Sequence, residues 1–81
     1  MGKLRIMSRM GDRQIAWDRE KAEMGDLDAL AAVKEAERIF DEERKKGAAA
    51  FRIRHGQPAQ LMNCFDETED QIVIVPRVAG G

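Results

Sequence analysis

The chain has one cysteine, Cys64, and one histidine, His55, and each scarcity excludes a class of chemistry. A lone cysteine cannot form an internal disulfide or a cysteine-rich zinc site. It is expected to behave as a small hydrophobe, buried or half-buried on a strand. A lone histidine in the turn His55-Gly56-Gln57-Pro58 reads as a solvated loop residue, and no Ser/His/Asp set can be assembled around it. Neither sign of charge dominates: 14 Lys and Arg face 15 Asp and Glu, for a net charge of −1. No basic field therefore points to nucleic acid, and the only Lys/Arg cluster is Arg44-Lys45-Lys46. No apolar run has the length of a membrane helix and no signal peptide is read, so the expected location is the cytoplasm. There is no phosphate-cradling glycine loop, and Glu67, Glu69 and Asp70 do not have the spacing of a calcium loop. These three are read as solvated loop carboxylates. No bound metal or cofactor is expected, and nothing in the pattern reads as the active site of an enzyme.

What is present is one small domain of 81 residues. Lys3 to Arg9 alternates, with Leu4 and Ile6 on one side and Lys3, Arg5 and Arg9 on the other. That is the period of a half-buried strand. Gly11-Asp12 supplies a turn, and Arg13 to Trp17 alternates again with Ile15 and Trp17 together, so the two form a hairpin. Asp18 to Gly25 reads as a connection in which Arg19 to Met24 can make a helical turn.

Asp26 then reads as a helix N-cap, with Asp28 complementing the dipole in the first turn. From Leu27 to Lys46 the period is helical. Ala29, Ala32, Val33, Ala36, Ile39 and Phe40 form one stripe. Asp41–Lys45 and Glu42–Lys46 are expected ion pairs four residues apart, and Gly47 ends the helix. Beyond it Ala49, Phe51 and Ile53 alternate with Ala50, Arg52 and Arg54, Gln60 to Phe65 reads as a short strand, and Asp66 to Asp70 as an acidic loop. Ile72 to Val75 are all β-branched, the composition of a strand with neither face left to water. Such a strand belongs in the sheet interior, paired with the first.

The order strand, strand, helix, strand, strand, strand gives an α+β roll with one helix on one face of a mixed sheet. This is the β-grasp, ubiquitin-like arrangement. It is expected over residues 1–76, with 77–81 as a flexible tail. Pro76 lacks a backbone N–H and ends regular pairing. After it, Arg77-Val78-Ala79-Gly80-Gly81 shrinks in side-chain size. Glycine there offers nothing to pack. Small terminal residues often only fray. A Gly-Gly stem without Cβ atoms, carried on a buried strand, instead lets a terminal carboxylate thread a narrow channel in another protein.

The segment Asp70-Gln71-Ile72-Val73-Ile74-Val75-Pro76-Arg77-Val78-Ala79-Gly80-Gly81 resembles the C-terminus of the ubiquitin-like β-grasp proteins. It looks most like the molybdopterin synthase small subunit and the thiamin sulfur carrier, and ubiquitin ends on the same plan. The resemblance implies that Gly81 carries the reactive carboxylate and that Gly80 is the second Cβ-free position. It implies also that Pro76, Arg77, Val78 and Ala79 dock in the groove of an activating enzyme. That partner would use ATP to convert the carboxylate to an acyl-adenylate, which a sulfur nucleophile attacks.

Two outcomes follow from the resemblance. A modifier passes through a cysteine thioester to lysines of target proteins, with a conjugating enzyme and a metalloprotease as further partners. If chains form, Lys3, Lys21, Lys34, Lys45 and Lys46 are the acceptors available in this sequence. A sulfur carrier instead takes up sulfur as a C-terminal thiocarboxylate. The proline followed by Val-Ala-Gly-Gly is typical of the carriers. The long charged helix, the acidic segment from Phe65 to Asp70 and the short first hairpin depart from the molybdopterin synthase subunit and place the modifier ahead. A non-covalent interaction module on the same fold is the third expectation.

Overall fold

The computed structural model describes residues 1–7 and 11–76. Five strands form one sheet in the order β2-β1-β5-β3-β4. They are β1 (Gly2–Ile6), β2 (Arg13–Trp17), β3 (Ala49–Arg52), β4 (Gln60–Met62) and β5 (Gln71–Val75). β1 pairs antiparallel with β2 and parallel with β5, while β3 is antiparallel to both β5 and β4. The sheet is therefore mixed and open, and its central strand is the last one in the chain.

The main helix, α2 (Leu27–Lys45), begins where the capping chemistry predicts. The Asp26 carboxylate accepts the Ala29 N–H at 3.0 Å, satisfying a donor that has no partner within the helix. It ends at Gly47, whose φ of 95° lets the Ala48 N–H reach back to the Glu43 carbonyl. Its stripe is the expected one. Ala29, Ala36, Ile39 and Phe40 are buried, and Ala32 and Val33 pack at the margin. Ala36 at 0% exposure brings the helix close to the strands. The two ion pairs expected four apart are not made: Arg38 binds Glu35 and Glu42, and Lys46 lies nearest Glu43. Arg38 has the planar fork to serve two carboxylates, which lysine lacks.

The expected connection between hairpin and helix contains a short helix, α1 (Arg19–Glu23), capped by the Asp18 carboxylate on the Lys21 N–H. It packs against α2. Gly2 is buried, and a Cβ there would collide with the Trp17 indole. The missing side chain is what allows the hairpin to close over that ring.

The structure decides one face that alternation left open and corrects the expectation for another. On β3 it is Ala50, opposite Ile74, that is fully buried under the helix; Phe51 and Ile53 belong to the opposite face. The pairing sets this, since Ile72 and Ile74 must face α2. β5, in turn, is not covered on both sides. Ile72 and Ile74 are at 0% exposure, but Val73 is half-buried and Val75 is 41% exposed. Among the described residues there is one long helix, and α1 packs on that helix rather than on the far side of the sheet. β4 is shorter than expected, and Cys64 beyond it is exposed instead of lying on a strand.

Candidate functional site

Of the tail residues singled out by the sequence, Pro76 is the one described, at the C-terminal end of β5. The strand is held on both sides: β1 runs parallel to it and β3 antiparallel. The Met7 N–H donates to the Ile74 carbonyl at 3.0 Å, which carries the β1 register up to Val75. Pro76 follows, half-buried, at the sheet's end. Its missing N–H stops the ladder there, as expected. Arg77, Val78, Ala79, Gly80 and Gly81 lie outside the described residues.

The other end of β5 is fixed by the acidic segment, whose role the sequence reading missed. Glu69 is only 4% exposed, where a solvated carboxylate was expected. Arg54 grips it through Nη2 at 2.5 Å and Nε at 3.2 Å, and Arg52 adds a contact at 3.4 Å. Trp17 donates its indole N–H to the Glu67 carbonyl at 3.1 Å, and Arg19 pairs with Asp70. Asp66 accepts both the N–H and the hydroxyl of Thr68, closing the local turn. The Asp70 carbonyl then accepts the Lys3 N–H at 3.0 Å, and the β1–β5 ladder begins. The segment is thus a clasp that sets where β5 enters the sheet and hence where Pro76 leaves it. The available signal was Arg52 and Arg54, two residues apart on the face otherwise buried, which demands an anionic partner.

The Arg54 guanidinium holds the Glu69 carboxyl below its ordinary range; burial opposes this but does not win. A depressed folded pKa means that the clasp stabilises the fold fully above the ordinary glutamate value of 4.5 and fades as pH falls through the lower folded value. Glu69→Gln is therefore expected to cost about 1–2 kcal/mol at neutral pH, the range for hydrogen bonds to a charged group discounted for half-exposed arginines. Urea titrations at neutral and acidic pH read this directly. The gap between the two proteins should narrow in acid, and an equal gap at both pH values would rule the clasp out.

The candidate acceptor lysines are dispersed. Lys3 is exposed on the uncovered sheet face, Lys21 on α1, Lys34 in the middle of α2, and Lys45 and Lys46 at its C-terminal end. His55 is exposed in its turn. Among the described residues, no group of His, Cys, Asp and Glu is arranged to hold a metal ion, and no helix is long and apolar enough to cross a membrane. No family model, curated protein or solved structure matches the chain.

Proposed function

We propose that this is a ubiquitin-like protein of the β-grasp class whose C-terminal glycine carboxylate is activated and conjugated to lysines. The observation that carries the reading is the sheet order β2-β1-β5-β3-β4 under one long helix, with the tail-bearing strand at its centre. A strand held on both sides presents its C-terminal extension from a fixed point. The sequence that follows, Arg77-Val78-Ala79-Gly80-Gly81, loses bulk toward its end, as a segment entering a narrow channel must.

The chemistry follows from the poor electrophilicity of a carboxylate. A Gly81 carboxylate oxygen attacks the α-phosphorus of ATP in an activating enzyme, giving an acyl-adenylate and releasing pyrophosphate. A cysteine thiolate displaces AMP and forms a thioester. A lysine amine then displaces the thiolate and leaves an isopeptide bond. The partners are an activating-enzyme homologue, a conjugating enzyme, target proteins and a metalloprotease that removes the modifier. The protein is the group transferred, not an enzyme, and it acts in the cytoplasm without bound cofactor.

Val78-Ala79-Gly80-Gly81 after Pro76-Arg77 favours a second reading, the sulfur carrier, in which a sulfur donor attacks the adenylate and leaves a thiocarboxylate. One experiment separates the two. The protein is incubated with the activating enzyme of its own organism, ATP and host lysate, then read by intact mass and by blotting. Intact mass first establishes that Gly81 is the last residue of the mature chain. The modifier is expected in larger species that resist thiol reductants, with Gly-Gly remnants on lysines after digestion. A thiocarboxylate at the protein's own size, with no lysine adduct, assigns it to sulfur transfer instead.

A further inference from the structure

β5 is apolar on both faces, yet among the described residues only one face is covered. A strand of that composition ordinarily has both faces buried. Around Val73 and Val75 the register assembles a connected apolar area. Ala49 and Phe51 lie beside them on β3, and Leu61, 58% exposed, lies beyond Phe51 on β4. On the other side Met7, 46% exposed, stands next to Val75.

We propose that a second copy of the chain covers this face, the two sheets packing about a twofold axis that runs along β5 in the plane between them. Such an axis keeps the strand direction and reverses the lateral order. Val73 then meets Val73 and Val75 meets Val75. In the row Gln14–Arg5–Val73–Phe51–Leu61, the Arg5 of one copy lies over the Phe51 of the other, and Leu61 over Gln14. Met7 lies over Ala49, a large side chain over a small one. A guanidinium over an aromatic ring is an attractive contact, and the Arg5 charge is already paired with Asp12. Lys3 falls over Ile53, because Ile53 continues the β3 register opposite Gln71. Among the described residues of these rows, no like charges face one another.

An axis across the strands through the Val73 row would instead set Arg5 against Arg5, which is unfavourable. Aligned sheets pack with their side chains interdigitated at about 10 Å and cross at about 30°, so the pairs on the axis are disturbed least. The contact is isologous and closes at two copies. With a net charge of −1, the copies have little mutual repulsion to overcome.

Sedimentation of the full chain between about 1 μM and 1 mM, the range in which modest interfaces associate, tests this. A monomer–dimer equilibrium is expected. Val75→Lys, which places like charges together on the axis, should weaken it about 100-fold. Val75→Glu should do the same, and an equimolar mixture of the two variants should recover the dimer. Val75 is 41% exposed, so both variants should fold, as thermal melts followed by circular dichroism will report. Leu27→Lys, at a site 82% exposed on α2, should leave the dimer intact. So should removal of Gly80 and Gly81, which makes the result independent of the tail's chemistry. A monomer at every concentration, a dimer indifferent to Val75→Lys, or a mixture that fails to reassociate would each overturn the proposal.

Discussion

Removing Gly80 and Gly81 is expected to abolish ATP-dependent activation of the protein while leaving its melting temperature essentially unchanged. The two halves of that result have separate causes. The hydrophobic core is closed by residues between Leu4 and Ile74, and the sheet ladder ends before Pro76. The last two glycines contribute no side chain to either, so stability should not depend on them. Activation does, under the proposed reading, because the carboxylate on Gly81 is the group that attacks ATP. Shortening the chain by two residues leaves Ala79 at its end. The new carboxylate then sits two residues back along the channel and carries a Cβ beside the reacting carbon. Pyrophosphate exchange catalysed by the activating enzyme measures the first half, and a thermal melt the second. Exchange that survives truncation would remove the carboxylate assignment. A large fall in melting temperature would mean that the tail packs on the domain.

Phe40→Ala carries the second large effect, about 3–5 kcal/mol of lost stability, the usual cost of emptying a buried phenylalanine site. Phe40 is 1% exposed on the inner face of α2. Its ring meets Phe65 edge-on at 5.8 Å, and Phe65 in turn lies 5.7 Å from Trp17. Loss of the first ring removes direct burial and also the surface on which Phe65 rests. Phe65 immediately precedes the Asp66 turn, so the acidic clasp should loosen with it. For a domain of this size, total stability is on the order of 5–10 kcal/mol, and the substitution removes a large share of it. Denaturant titration reads the cost. A change below about 1 kcal/mol would mean that the helix buries a different stripe.

The elements whose signals are local were legible in the sequence. α2 was bounded by its own caps, Asp26 and Gly47, because a helix end must satisfy backbone groups with residues next to it. The first hairpin followed from alternation interrupted by a Gly-Asp turn, and β5 from its run of β-branched residues. The pairing of β5 with β1 also followed, since an all-apolar strand has no place at an edge. α1 was missed as an element because five residues are too few for a period to establish itself.

At the candidate site, Pro76 and the tapering tail were visible because chain chemistry alone writes them. Glu69 was not, because its burial depends on Arg52 and Arg54 arriving from another strand. By itself, then, the sequence determined the helix, its buried stripe and the strand order along the chain. Only the tertiary structure decided which face of β3 turns inward, that the described residues cover β5 on one side alone, and that Glu69 clasps rather than solvates. The physical reason is the same in each case. A period of two names two faces of a strand but not which one is buried. Burial and charge pairing are settled by neighbours remote in the chain, once register has brought them together.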